Sequence, residues 1–583
     1  MQGFGVWAPD AQRVELLLGD TGDGAGEGLP MICAGEWWTA DCAAHAGQRY
    51  SYRIDGRGPF PDPRSMYQPD GPNEASEVVD TRAFSWTDGQ WYGTPLQRAV
   101  IDELHIGTFT ADGTLDSAIE RLGHLVDLGV TIVELMPVAA FPGERGWGYD
   151  GVDLYAVHAA YGGPQALARF VDAAHARGLG VCLDVVYNHL GPSGNYLAQF
   201  GPYFTDRHHT PWGSAVNLDA PGSNEVRRFV IDNALMWFRD FHLDALRLDA
   251  VHALVDERAV HLLEQLEIET EALASHLGRP LTLIAESDRN DPATVTARAA
   301  GGAGGLGLGG QWADDVHHTL HSLLTGESQG YYADFADPSA FEKAAKTPFF
   351  HDGTWSTFRG RDHGRPVIPA LTPGWKFVAS LQTHDQIGNR ATGDRLSHLV
   401  PRDRLAAGAT LLFTLPYTPM LFMGEEWGAS TKWAYFTDHQ EADLAAAVSK
   451  GRHDEFAGHG WGDHVPDPQE PSTADDSTLR WDEVSHPEHA RLLDWYRDLI
   501  RLRREVPDLS DPALGVTDVH RDGDVLTYVR GACTVVVNLS GARIARPISG
   551  DPEVLAAWGA TVENGSIAIE PNGSIVYRPR EEE

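Results

Sequence analysis

Four stretches of the sequence end in acids and histidines: DVVYNH (184–189), LRLDAVH (246–252), AESD (285–288) and THDQIGNR (383–390). Among them stand the carboxylates Asp249, Glu286 and Asp385, with no Ser or Cys constellation for nucleophilic attack. That set suits cleavage of a glycosidic bond. One carboxylate attacks the anomeric carbon while another donates a proton to the leaving oxygen. Arg247 lies two residues before Asp249, so in a strand both side chains point to one face. A fixed cation there keeps a carboxylate ionised, as a nucleophile must be. Glu286 follows Leu283, Ile284 and Ala285, and an apolar setting would let it hold a proton. His189 and His384 are suited to hydrogen-bond sugar hydroxyls. A metal reading is weaker: HHT (208–210) and DDVHH (314–318) contain ligand types, but no HExxH or comparable spacing is present. No metal and no cofactor is expected.

The elements that must position these groups are strands alternating with helices. From about residue 98, strand candidates recur at 99–106, 130–138, 179–189, 243–250, 281–286, 376–384 and 419–426, and an eighth is placed near Gln311–Val316. Amphipathic stretches lie between them. In QALARFVDAAHARG, Ala166, Leu167, Phe170, Val171 and Ala174 share one helical face, and Gly178 sits where a C-cap glycine belongs. Eight such units predict a (β/α)8 TIM barrel with a catalytic face at the strands' C-terminal ends. The segments before and after it read as β. The predicted division is an N-terminal β-sandwich (1–90), a catalytic barrel (91–504) with an inserted loop or subdomain (190–224), and a C-terminal β-sandwich (505–583). TGDGAGEG (21–28) and the glycine run at 300–310 read as loops, and the EEE end as frayed. Trp212 and Tyr203, in the aromatic insertion, are candidates for stacking on sugar rings.

The chain has 583 residues, 42% apolar, ample for a large core. Its net charge of −38 argues against a nucleic-acid or anionic-membrane surface. Four cysteines without a CxxC pair make no disulfide scaffold, and neither a secretory signal nor an apolar span is visible. A soluble, cytoplasmic protein with no nucleic-acid or membrane partner is expected.

DVVYNH, LRLDAVH, IAESD and THDQIGN resemble, in order, the four signature regions of the α-amylase superfamily, family 13 of the glycoside hydrolases. The resemblance implies a retaining double displacement, with Asp249 as nucleophile, Glu286 as proton donor and Asp385 as transition-state stabiliser. It places Arg247, His189 and His384 in the same subsite, with Asn389 among the substrate-binding residues. Tyr149, in GWGYDGVDLYAV, matches the family tyrosine that stacks under the reacting sugar. FGVWAPDAQRVELLL and PDPRSMYQPDGPNEASEVVD resemble the carbohydrate-module-like domain of branching and debranching members. QWADDVHHTLHSLLTGE, HDQIGNRATGDRL, LFMGEEW and WAYFTDH are similar to the trehalose-releasing branch. Branching members usually have HDE where this chain has His384, Asp385 and Gln386, and many amylases carry a lysine where it has His252.

The resemblance therefore implies hydrolysis of the α-1,4-glucosidic bond beside the terminal α,α-trehalose of a maltooligosyltrehalose, with plain maltooligosaccharides as the related substrates. A branching or debranching enzyme is the first rival, and an inactive carbohydrate-binding barrel a distant one. Trehalose has no reducing end, so its recognition belongs on the leaving-group side. His252, Asp315 and His318 are expected there.

Overall fold

The computed structural model describes residues 3–19, 28–211, 213–300, 304–457, 465–548, 552–563 and 565–580. Eight parallel strands close a barrel: β1 (Ile101–Leu104), β2 (Ile132–Leu135), β3 (Gly180–Val185), β4 (Ala245–Leu248), β5 (Thr282–Ala285), β6 (Gly310–Trp312), β7 (Phe377–Ser380) and β8 (Thr418–Phe422). Each pairs with its sequence neighbour, and β8 returns to β1.

Two-residue periodicity builds the interior. Ile101, Ile132, Cys182, Ala245, Ile284, Trp312, Val378 and Met420, one from each strand, form a buried apolar layer. Two residues further along, on the same face, stand Glu103, Glu134, Asp184, Arg247, Glu286, Asp314, Ser380 and Phe422. Six of these eight are charged types, directly above the apolar floor.

The strands end earlier than their apolar runs, because the polar residues beyond turn into the loops. The strand after the glycine run, sixth in order, needs a larger correction. It was expected near Gln311–Val316, but β6 stops at Trp312, and Asp314–Thr325 is a helix. Asp314 and Asp315 lie in that helix's first turn, where the dipole favours acids, and Val316, Leu320 and Leu324 bury its inner face. The helix expected from QALARFVDAAH spans Gly163–His175 with all five spaced apolar residues buried. Gly178 (φ 80°) then makes the left-handed turn that returns the Leu179 N–H to the Ala174 carbonyl at 3.0 Å.

At the N-terminal side, a three-stranded sheet and a five-stranded sheet span residues 3–77. At the C-terminal side, six strands between Asp518 and Pro579 share one hydrogen-bonded sheet. It is carried round by the long pair Pro552–Glu563 and Ser566–Pro579, with register shifts at Val554/Ala556 and Trp558/Ala560. Among the described residues no helix is long and apolar enough to cross a membrane. Most of the 21–28 loop, residues 301–303 of the glycine run, and the EEE end lie outside the described residues.

The insertion holds a short helix, Leu197–Phe200, and a hairpin of Phe204–Thr210 with Gly213–Val216. Trp212, its candidate stacking residue, lies outside the described residues. Tyr203 is not at the cleft. It is 4% exposed, edge-on to Trp7 (5.2 Å) and Phe229 (5.3 Å), between the N-terminal sheets and the barrel. Its residue type is readable in the sequence, but its direction is not. Tyr203→Ala should therefore cost about 3–5 kcal/mol of stability, by loss of a buried ring, and leave KM unchanged. A thermal melt beside a KM measurement checks this, and a raised KM with an unchanged melt would return Tyr203 to the cleft.

Candidate active site

Arg247 is the hub. It is fully buried on β4, where alternation turns it inward with Asp249. Its Nη1 donates to both oxygens of Asp184 (3.0 and 2.8 Å) and to Asp249 Oδ1 (2.9 Å). Its Nη2 lies 3.2 Å from Glu286 Oε2. The guanidinium stacks over the Trp312 ring at 4.3 Å, so the floor tryptophan fixes its plane. One rigid cation thus holds carboxyl groups from β3, β4 and β5 in a single arrangement.

Asp249 has a donor at each oxygen: Arg247 at Oδ1, and Asn188 Nδ2 at Oδ2 (2.6 Å). Such paired donors favour a carboxylate. Ala250, the next residue, takes the left-handed conformation (φ 40°), a strain of about 1–3 kcal/mol for a residue with a Cβ. That turn aims its N–H at Glu286 Oε2, 2.6 Å away. Glu286 differs from Asp249. Burial raises its pKa, Arg247 opposes, and Asp249, Asp385 and Asp314 raise it further, to about 8. At neutral pH it holds its proton. Asp184 is lifted to about 6, by burial against the opposing Arg247.

The opposite wall comes from β7. Thr383 caps the helix His384–Gly388, which sets His384 inward and leaves the Asp385 side chain 38% exposed. His384 Nε2 lies 2.8 Å from the Tyr149 hydroxyl, which donates to Asp184 Oδ2 at 2.6 Å. The two rings stack at 5.1 Å. Asn389 Nδ2 reaches Asp385 Oδ1 at 3.3 Å. His189 bonds the Asn188 side chain through Nδ1 and the Tyr149 carbonyl through Nε2 (3.1 Å). Asp249, Glu286, Asp385, Tyr149, His189, Arg247, His384 and Asn389 are therefore joined, through Asp184 and Asn188, in one connected cluster.

Three others fall differently. His252 stands at the rim. Its Nδ1 accepts the Asp288 N–H (3.3 Å), which leaves Nε2 to donate outward, and burial lowers its pKa. Asp315 does not face the cleft. Its Oδ2 is taken by Asn290 Nδ2 (2.8 Å) and the His351 N–H (2.9 Å), so it ties two loops together. His318 packs among Tyr331, Tyr332 and Phe335 with its pKa depressed to about 3 by burial, a neutral ring in an aromatic cluster.

The neighbour of Asp315 takes its place. Asp314 stands two positions beyond Trp312, on the inward face, where burial and then Asp385 push its pKa to about 7. Alternation counted from Trp312 would have found it. Tyr331, whose hydroxyl pKa is raised by burial and by Asp385 among its neighbours, lies 6.0 Å from the Phe358 ring, and Phe358 is 57% exposed. Arg359 is salt-bridged to Asp288, which ties the hairpin Thr354–His363 to the loop after β5. Those aromatics sit in a segment with no readable periodicity.

Among the described residues, His208, Asp219 and Glu257 bring one potential metal-ligand atom each within 4.8 Å of the others. The Arg207 guanidinium already bridges Asp219 (3.5 Å) and Glu257 (3.6 Å), and His208 bonds Asp219 (3.1 Å), so each of the three already has a partner within the protein. Asn188 donates its side-chain N–H groups to Asp249, and its amide oxygen meets His189 Nδ1.

A parallel barrel with an arginine-bridged acid pair and a histidine-flanked third acid at its C-terminal rim defines a glycoside hydrolase of the α-amylase class. Residues 78–208 match the family described as alpha amylase, catalytic domain, and residues 3–72 match carbohydrate-binding module 48, the isoamylase N-terminal domain. The chain is 53% identical to the malto-oligosyltrehalose trehalohydrolase of Arthrobacter ramosus, covering 98% of both chains. It is 39% identical to that of Saccharolobus solfataricus, over 94% of each. A solved structure titled as a putative alpha amylase from Salmonella typhimurium is 37% identical, with a TM-score of 0.89 over 99% of this chain and 97% of that one. The chain belongs to the malto-oligosyltrehalose trehalohydrolase family.

Proposed function

We propose that this protein hydrolyses the α-1,4 bond beside the terminal α,α-trehalose of a maltooligosyltrehalose, releasing trehalose and a shorter maltooligosaccharide. The observation that carries the chemistry is the division of labour around Arg247. Asp249 has donors at both oxygens, while Glu286, on the same guanidinium, holds a proton to about pH 8. Asp249 attacks the anomeric carbon from one face of the sugar. Glu286 protonates the leaving oxygen, then as a carboxylate takes a proton from the water that releases the glycosyl group. Asp385, the most exposed of the three, grips sugar hydroxyls as positive charge grows on the ring, and Tyr149 stacks beneath it. Family membership supports the trehalose-releasing outcome over the branching one. Four free cysteines fit a reducing cytoplasm, where we place the protein.

The leaving-group side is assigned to His252, Asp314, Tyr331 and Phe358, which offer polar groups and aromatic faces beyond Glu286. The test offers maltooligosyltrehalose and plain maltooligosaccharide of equal length side by side. Trehalose should dominate the products of the first, and turnover of the second should be slower. Equal turnover of both would overturn the reading. His252→Ala and Asp314→Ala should lower kcat/KM for maltooligosyltrehalose about tenfold more than for the plain chain, because each removes a partner of a buried hydroxyl. Asp315→Ala should instead lower the melting temperature and spare that ratio.

A further inference from the structure

We infer that Glu103, on β1, is a positioning residue for the reaction: it holds the His384 ring and keeps a cation beside the reacting sugar. The inference rests on the proposed role of His384 as a group that touches that sugar.

Glu103 binds His384 twice. Its Oε1 meets ring Nδ1, and its Oε2 accepts the His384 backbone N–H at 3.1 Å. One carboxylate therefore fixes both the ring and the start of the helix that also carries Asp385. Both residues are almost fully buried, so this contact is not exchanged with water.

The hydrogen-bond pattern then sets the protonation of the ring. Nδ1 faces a carboxylate and must donate. Nε2 faces the Tyr149 oxygen, and the single Tyr149 proton is already given to Asp184 Oδ2 at 2.6 Å. The oxygen can only accept from Nε2, so both ring nitrogens carry hydrogen and the ring is an imidazolium. Its electrostatic surroundings agree. Burial alone would depress its pKa, but Glu103 and Asp385 raise it to about 9.

The charged and titratable groups around the ring come from every wall. They are Glu103 from β1 and His105 beyond it, Tyr149 after β2, Asp184 on β3, Arg247 on β4 and Asp385 on its own helix. Glu134, paired with Glu103 across β1 and β2, is pushed up to about 8 by burial and by Glu103. It is a neutral acid below that pH and does not compete for His384. Glu103 is thus the anion that keeps His384 charged.

The first test is Glu103→Gln in the full chain, with kcat and KM followed from pH 5 to 9. An amide can still accept from Nδ1 but brings no charge. The His384 pKa should fall to its ordinary value of about 6.5 or below. The variant should keep most of its kcat at pH 5.5 and lose about tenfold at pH 7.5, with KM changing less. In the wild type the alkaline fall is set by Glu286 near pH 8. Glu103→Asp should restore part of the loss at pH 7.5. An equal loss at both pH values, or an unchanged profile, overturns the inference.

A second readout needs no turnover and no change at Glu103. In wild-type protein labelled with ¹⁵N-histidine, the ring signals missing from His384→Gln should show both nitrogens protonated up to about pH 8.5. A ring already neutral at pH 7 overturns the inference, whatever the kinetics give. Because it needs no substrate, this outcome is distinct from failure of the catalytic reading, which the Asp249 and Glu286 variants decide.

Discussion

Asp249→Asn and Glu286→Gln should each lower kcat by roughly 10³–10⁵-fold, about 4–7 kcal/mol of transition-state stabilisation. Both variants keep the volume of the group they replace, so the barrel should stay folded, and circular dichroism with a thermal melt checks that. The two losses are separable. A substrate with a good leaving group needs no proton, so glycosylation by Glu286→Gln should be largely rescued. Asp249→Asn should stay dead with the same substrate, because nothing else can attack the anomeric carbon. The pH profile gives the same separation without a variant. Glu286 holds its proton up to about pH 8, so turnover of the natural substrate should fall above that value. With the activated substrate, when glycosylation limits the rate, the fall should disappear. Rescue of Asp249→Asn alone would mean that the two roles are exchanged, and equal rescue of both would mean that neither residue is the nucleophile.

The barrel was legible because its strands are short apolar runs between clear helices. The carboxylates were legible because strand ends in a barrel point at the catalytic face, whatever the loops do. β6 was not, because three residues after a glycine-rich stretch give no period to count. Its misplacement by a few residues had a direct consequence. With the strand drawn through Val316, Asp315 and His318 fell on the catalytic rim. With it ended at Trp312, Asp314 faces inward and Asp315 ties Asn290 to His351. Tyr203 failed for a related reason. An aromatic residue in a loop serves a cleft or a domain junction equally well in sequence, and only the positions of Trp7 and Phe229 decide. Glu103 lay in plain view within IDEL, but its partner is 281 residues away. No local pattern joins β1 to the end of β7. Closure of the barrel does.

Arg247→Met should be the most damaging substitution in the site for stability, and its damage should depend on pH. The guanidinium touches Asp184, Asp249 and Glu286 at once; Asp184 and Asp249 are buried beside it, and Glu286 keeps only a small part of its side chain exposed. Removing one member of a buried ionic group leaves the others uncompensated, at a cost of about 3–5 kcal/mol. That is a large share of the roughly 5–15 kcal/mol that holds a folded domain together. The sign of the pH effect follows from the raised carboxyls. Asp184, at about 6, and Glu286, at about 8, already sit above their unfolded values, and Arg247 is what opposes a further rise. Without it their folded pKa values climb. A carboxyl with a raised folded pKa contributes its stability below the unfolded value, near 4, and loses it as pH rises through the folded one. The deficit of the variant against wild type should therefore be small near pH 4–5 and grow steadily to pH 8 and above. Arg247→Lys separates charge from geometry. A single ammonium on a flexible stem restores part of the stability at pH 8, but it cannot hold Asp249 and Glu286 in one plane. Its kcat should stay down by about two orders of magnitude or more, as misplaced catalytic groups cost. Thermal melts at pH 5 and pH 8, with kcat for both variants, decide the matter. A deficit that is the same at both pH values would mean that Arg247 supports the barrel by packing on Trp312 alone, and that the carboxyls around it do not depend on its charge.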